Sequence, residues 1–378
     1  MKKLSALLLT LAMVVSLAAC GAPAAKPTTA PTTAPTTAPT TAPAPTASDL
    51  NVGVFYYTFS DVYISSVRSL MDEKLEAAGV KFMNYDGNNM QSTQIDQINT
   101  AISDGANLLI VNIVETSSPD AAQGAVDAAK AAGIPIIFFN REVADEVVNS
   151  YENCAFVGTD APEAGHMQGK MVGKYLVDNY DAVDLNKDGV ISYVMFKGQE
   201  GNAEAEFRTQ FGVEDADKVL TEGGKKALSF YDAGNTSKYL VDQTGGWSAQ
   251  ASTDYMNTIL GEYNAKNNNM VELVIANNDG MAEGAVSALQ AVGYNKGDDP
   301  AMTIPVFGVD ATDSAKALID EGKMTGTVKQ DADGMAATIT ALVANIKDGA
   351  KLMDNTDSFV VDEAVAKVRV PYGVYDGK

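Results

Sequence analysis

The chain has 378 residues, 49 of them acidic and 27 basic, for a formal net charge of −22. That balance repels a nucleic-acid backbone and argues against a nucleic-acid-binding role. The only cysteines are Cys20 and Cys154, so no disulfide framework organises the fold.

In chain order, Lys2 and Lys3 precede an apolar run over 4–17 that is too short to span a bilayer and reads as an export signal. The run closes on Leu17-Ala18-Ala19-Cys20, which resembles the lipobox of bacterial lipoproteins. The resemblance implies cleavage after 1–19 and diacylation of Cys20, leaving Cys154 as a small core residue. Residues 22–49 repeat Thr-Thr-Ala-Pro, a composition with little to bury that proline keeps semi-extended. Segment 20–49 is therefore a tether from a lipid anchor on the outer face of the membrane. It suits the thick wall of a Gram-positive cell.

The body from 50 to 378 is too long for one comfortable core and is expected to form two lobes. Short β-branched and aromatic runs alternate with segments of helical period, as a parallel sheet wound by helices requires. The first strand is expected over 52–57, followed by a helix with Ile64, Val67, Met71, Leu75 and Ala78 on one face and Gly79 as its stop. Further strands are expected near 80–84, 107–113 and 134–139. Asp160 and Glu163 are spaced as a capping box with Pro162 in the first turn, opening a second set of strands near 190–197, 272–277, 304–309 and 324–329. The two sets echo each other: 108–112 matches 273–277, and Ile-Pro strands ending at Asn140 and Asp310 follow in each. The expected fold class is α/β, with two similar doubly wound parallel-sheet lobes joined by a three-segment hinge. One lobe takes 50–158 and 332–368, the other 159–331 and 369–378.

In open α/β sheets ligands bind beyond the carboxyl ends of the strands. Polar and aromatic residues expected there are Asp61, Tyr63, Asn140, Asn202, Glu204, Arg208, Asn278, Asp310 and Gln330. Carboxylates, amides and a guanidinium are the partners that hydroxyls need, since a hydroxyl both donates and accepts. Apolar ring faces want flat aromatic surfaces, and Tyr63 with Trp247 supply them. The constellation points to a sugar. Each residue also has a plainer reading: Asp61 as a helix cap, Asn140 or Asp310 as a turn closure, Trp247 as core. His166, the only histidine, reads as a surface residue, and Arg68 and Arg141 as structural.

From about 51 to 375 the chain resembles the bacterial galactose/glucose-binding protein family, with its type I periplasmic binding protein fold. The resemblance is carried by Phe138-Phe139-Asn140, Val157-Gly158-Thr159-Asp160, Asp184-Leu185-Asn186-Lys187-Asp188-Gly189, Val274-Ile275-Ala276-Asn277-Asn278-Asp279 and Pro305-Val306-Phe307-Gly308-Val309-Asp310. It implies that Asp61, Tyr63, Asn140, Arg208, Trp247, Asn278 and Asp310 contact sugar. It also implies a monomeric receptor, without enzymatic activity, that delivers a monosaccharide to the membrane subunits of an ABC importer. Asn202, Glu204 and Gln330 depart from the best-known members, which carry His, Asp and Asn there. Glucose or galactose is the first expectation and another aldose, such as a pentose, the second.

Asp184-x-Asn186-x-Asp188-Gly189-Val190-x-Ser192 follows a calcium loop through its first seven positions, the seventh offering the Val190 carbonyl. Its twelfth position is Met195, so the loop alone cannot complete the shell. The resemblance supplies Glu272 as the closing ligand and a structural Ca2+ as the ion, with Ser192 in place of a longer Gln. The competing enzyme reading is a glycoside hydrolase using Asp61, Glu204 and Asp310. Against it stand the absence of a G-x-S-x-G or Walker A motif and a single histidine in the chain.

Overall fold

The structure, a computed structural model, describes residues 50–377. The expected signal, Cys20 and the tether lie outside the described residues. The described residues belong to one compact unit. It contains strands β1 (Asn51–Tyr56), β2 (Lys81–Asp86), β3 (Leu108–Val111), β4 (Ile136–Phe139), β5 (Cys154–Gly158), β6 (Ser192–Lys197), β7 (Ser229–Phe230), β8 (Leu240–Val241), β9 (Leu273–Ala276), β10 (Val306–Asp310), β11 (Gly326–Gln330), β12 (Val360–Val361), β13 (Lys367–Arg369) and β14 (Tyr372–Tyr375). The helices are α1 (Val62–Ala77), α2 (Gln91–Ser103), α3 (Asp120–Ala132), α4 (Asp145–Asn149), α5 (Ala161–Val183), α6 (Ala203–Glu222), α7 (Ala249–Glu262), α8 (Asp279–Ala291), α9 (Asp313–Asp320) and α10 (Ala332–Lys347).

The strands form two sheets, in the orders β12-β13-β5-β4-β3-β1-β2 and β14-β11-β10-β9-β6-β7, with β8 also paired to β6. The central strands of each sheet run parallel, and helices cover both faces. This explains why β3, β4 and β9 read as unbroken apolar runs: every residue in them is buried. In the first lobe Val52, Val54 and Tyr56 face a core shared with α1 and α10, while Phe55 turns to a second core against α2 and α3. The helix predicted from Ile64, Val67, Met71 and Leu75 buries those four residues, and Gly79 follows its end at φ +64°. A left-handed residue of this kind is where glycine stops a helix without strain.

The capping box expected at Asp160 and Glu163 does not form. Asp160 is the N-cap of α5, but its side chain makes no cap bond. Pro162 has no N–H to offer, and the Glu163 N–H is already bonded to the main-chain carbonyl of Asp160 at 3.0 Å. Both carboxylates instead line a surface groove with Asp362 and Arg369.

The chain passes between the sheets three times, from β5 to α5 through Thr159 and Asp160, from β11 to α10 through Asp331, and from β13 to β14 through Val370 and Pro371. The carboxyl ends of β1, β4, β6, β9, β10 and β11 lead into one cavity, described next.

Candidate functional site: a polar cavity between two lobes

All ten residues predicted from the sequence line a single cavity: Asp61, Tyr63 and Asn140 from the first lobe, with Asn202, Glu204, Arg208, Trp247, Asn278, Asp310 and Gln330 from the second. Tyr57, Ile64 and Arg141 complete the wall, and the sequence analysis missed them. Arg141, read there as purely structural, has both roles. Its Nη1 donates to the Val114 carbonyl at 2.6 Å and its guanidinium lies 3.4 Å above the Tyr57 ring, while its Nη2 is buried without a partner. The signal was its position directly after Asn140, past the end of β4. Arg68 stays outside the cavity, stacked 3.9 Å over Phe59. His166 lies on α5, stacked on Phe211, with Nδ1 2.9 Å from Asp215 Oδ2.

The plainer reading of several residues and the functional one turn out to be the same fact. Asp61, Asn202 and Asn278 are the N-caps of α1, α6 and α8, accepting from Ile64, Ala205 and Met281 N–H at 2.7, 3.1 and 2.9 Å. Capping satisfies a helix's first N–H groups and also fixes each side chain at a strand end facing the cavity. The second oxygen of Asp61 accepts from the Tyr57 hydroxyl at 2.7 Å, so both its oxygens are engaged.

The backbone is also shaped for the site. Asn140, Trp247, Asp310 and Ala311 all have positive φ, at 62°, 55°, 129° and 55°. Such conformations cost free energy in non-glycine residues and persist where the surroundings hold them, often at binding sites. Trp247 is accommodated because Gly198 lies beneath it: a Cβ at that position would come within 2.1 Å of the indole.

The wall is buried yet rich in unmet hydrogen-bonding capacity. The Tyr63 hydroxyl, both Glu204 oxygens, Arg208 Nε, Trp247 Nε1 and Gln330 Nε2 are buried without a partner, as is Arg141 Nη2. Buried polar groups are ordinarily paired, so a cluster of unpaired ones around a cavity marks groups oriented for a solute. Burial pushes the Glu204 carboxyl up to about 7, helped by Glu142 and opposed by Arg208. Burial likewise raises Asp310, against the pull of Arg208, and raises its neighbour Asp279, whose oxygens accept from the Thr327 hydroxyl and Thr312 N–H.

A pH dependence follows from the sign of these shifts. The folded pKa of Glu204 lies above its ordinary value of 4.5, so its stabilising contribution is full below that pH and is lost as pH rises through about 7. Thermal denaturation of the ligand-free protein between pH 5 and 8 is expected to show Glu204→Gln gaining on the wild type as pH rises. Parallel curves for the two proteins would contradict the assignment.

The lips of the cavity touch. Asn89 Nδ2 donates to the Thr244 carbonyl, Thr116 Oγ1 lies 3.4 Å from Gln199 Oε1, and Gly201, at φ +71°, leaves no room for a Cβ beside Ser117. Eleven of the thirteen cavity residues, all but Asp61 and Asn140, are buried, so a solute enters only when the lobes part.

At the far end of the second lobe, the loop from Asp184 folds as the motif demands. Gly189 N–H donates to Asp184 Oδ2, Asp188 N–H to Asn186 Oδ1 and Val190 N–H to Asp188 Oδ1, at 3.0, 2.9 and 2.8 Å. Glu272, fully buried, reaches the loop from beside β6. Its carboxylate accepts from Leu185, Asn186 and Ser192 N–H and from Ser192 Oγ. Asp184 Oδ1 is buried without a partner, which fits a hard cation at the loop centre. Among the described residues no three His, Cys, Asp or Glu side chains converge as a metal cluster, so an ion here would draw equally on the Asn186 amide and the Val190 carbonyl.

Two α/β lobes closing over a polar cavity, walled by oriented donors and acceptors, define a receptor that encloses a small polar solute. The chain belongs to the family described as periplasmic binding protein domain, which matches residues 52–351. It is 34% identical over 330 residues to the D-galactose/methyl-galactoside binding periplasmic protein MglB of Haemophilus influenzae, covering 87% of this chain and 90% of the relative. Among solved structures it resembles an ABC transporter solute binding protein from Bacillus halodurans C-125 with bound myo-inositol. The identity is 25% and the TM-score 0.65, over 88% of this chain and 96% of that one. A solute binding protein from Clostridium phytofermentans with bound β-D-glucose has the same fold, at 21% identity and TM-score 0.66, over 86% and 94% of the two chains. The chain is a solute-binding protein of transport, not an enzyme. No helix among the described residues is long and apolar enough to cross a membrane.

Proposed function

We propose that the protein captures a monosaccharide between its lobes, D-galactose or D-glucose first, and presents it to the membrane subunits of an ABC importer. The observation that carries this reading is the set of buried, unpartnered donors and acceptors around the cavity. A sugar meets it with hydroxyls that both donate and accept, and with an apolar ring face for Tyr63 and Trp247. The relative that binds galactose supports the choice of hexose. A pentose is the second reading: the three departures at Asn202, Glu204 and Gln330 all lie in the wall, and the Asn202 side-chain oxygen is already committed to capping α6. The lipobox at Cys20 supports anchoring on the outer face of the membrane.

The test is a titration of Trp247, the only tryptophan, with D-galactose, D-glucose, D-xylose and D-ribose. A saturable fluorescence change with a hexose supports the reading. Preference for a pentose would replace the sugar, and no response to any aldose would overturn the function.

The loop of Asp184, Asn186, Asp188, Val190 and Ser192, with Glu272, is proposed to hold one Ca2+. The ion would neutralise the buried carboxylates of Asp184 and Glu272 together with the exposed one of Asp188, and fix the end of α5 to β6.

A further inference from the structure

Tyr372 stands just past the third crossing, buried among Ala164, Val309 and Val328. Its hydroxyl lies 2.9 Å from Arg208 Nη2 and 2.7 Å from Thr159 Oγ1. A guanidinium can only donate, so the phenol accepts from Arg208 and its own proton goes to Thr159. Thr159 opens the first crossing. The same Nη2 donates at 3.1 Å to Oε1 of Gln330, the last residue of β11 before the second crossing. One nitrogen of a cavity guanidinium is therefore bonded, directly or through one hydroxyl, to all three hinge segments.

The rest of that guanidinium is fixed as well. Nη1 donates to the Asn277 carbonyl at 2.9 Å, and Nε sits in the cavity wall without a partner. On its other side Thr159 is held from the first lobe: its carbonyl accepts from Arg369 Nη1 at 2.8 Å, and Arg369 pairs with Glu142 at 2.7 Å. Val370 N–H donates to the Gly158 carbonyl at 2.8 Å, tying the third crossing to the first.

We infer that Tyr372 is a positioning residue that aims Arg208 into the cavity and, through Thr159 and Gln330, makes the three hinge crossings turn as one unit. The inference rests on the cavity being the binding site. A solute that bonds to Arg208 Nε then stabilises a guanidinium whose orientation is already shared with the hinge. This is one physical source of the differential affinity that closure requires.

Tyr372→Phe keeps the packed ring and removes only the oxygen. With whichever of D-galactose or D-glucose binds the wild type, affinity is expected to fall about tenfold, mainly through faster dissociation. Hydrogen exchange of the ligand-free protein is expected to quicken together around Thr159, Asp331 and Val370. Thr159→Val, which leaves the phenol–guanidinium bond intact, should reproduce the exchange change. A lower melting temperature with unchanged dissociation and unchanged exchange at the crossings would make Tyr372 a packing residue and overturn the inference. A silent Thr159→Val would do the same. Should the wild type bind neither sugar, the sugar reading fails while the exchange measurement still decides the hinge role.

Discussion

Asp310→Ala is expected to weaken sugar binding by roughly 30- to 1000-fold, about 2–4 kcal/mol, the range for truncating a buried charge that hydrogen-bonds its partner. The carboxylate lies at the end of β10 on the cavity wall, buried and facing Arg208. Ala removes two acceptors from sugar hydroxyls that would then be buried without partners. The same change should not destabilise the ligand-free fold, because burial raises the pKa of this carboxyl and its ionised form is not what holds the lobe together. Lost affinity without lost stability separates a binding residue from a folding one. Calorimetry gives the first and thermal denaturation the second. Full affinity in the variant would remove Asp310 from the site.

Glu272→Ala is expected to act on stability instead. Its carboxylate accepts from three backbone N–H groups and one hydroxyl at 2.8 to 3.2 Å, joining the Asp184 loop to Ser192 at the start of β6. Removing it strands buried donors, and a loss of about 2–4 kcal/mol in the second lobe is expected. The two lobes have largely separate cores, with Ala205 and Trp247 of the second packing against the first, so the unfolding profile should broaden or split rather than shift as one transition. A chelator adds the metal to the same experiment. An ion bound only by the folded state stabilises it by mass action, so chelation should lower the melting temperature of the wild type and leave Glu272→Ala and Asp188→Ala unmoved. Equal shifts in all three proteins would rule out an ion at this loop.

The fold was legible where burial on both faces left one interpretation. β1, β3, β4, β9 and β10 announce themselves as apolar runs that close on Asn140 or Asp310 or stop short of a helix cap. β5 was not foreseen, because Cys154-Ala155-Phe156-Val157-Gly158 is short and ends in a glycine, although each residue is buried. β7, β8 and β12 have two residues each and carry no period to detect. The cavity was legible because strand ends fix where side chains must point: the nine residues expected at them line it, as does Trp247, singled out as an aromatic face. What escaped notice was position without pattern. Tyr57 follows β1 directly and Arg141 comes one residue later past β4, but a cation and an aromatic that pack against each other look structural in a sequence. The capping box at Asp160 was misread because spacing alone does not show that the Glu163 N–H is taken by the main-chain carbonyl of Asp160. The hinge relay could not be read at all, since Arg208, Thr159 and Tyr372 are brought together only by the third passage of the chain between the lobes.

Closure around the solute is the centre of the account, and small-angle scattering of the body with and without the best-binding aldose tests it most directly. The structure shows the lobes in contact over a buried cavity, so in solution the unliganded protein must open to admit a solute, and a sugar bound as proposed, between Asp61 and Asn140 on one side and Arg208, Asn278 and Asp310 on the other, would favour the closed form. The radius of gyration is predicted to fall on saturation with D-galactose or D-glucose, and to stay at its ligand-free value in Asp310→Ala at the same sugar concentration. Saturable sugar binding by the wild type with no change in the radius of gyration would contradict the account.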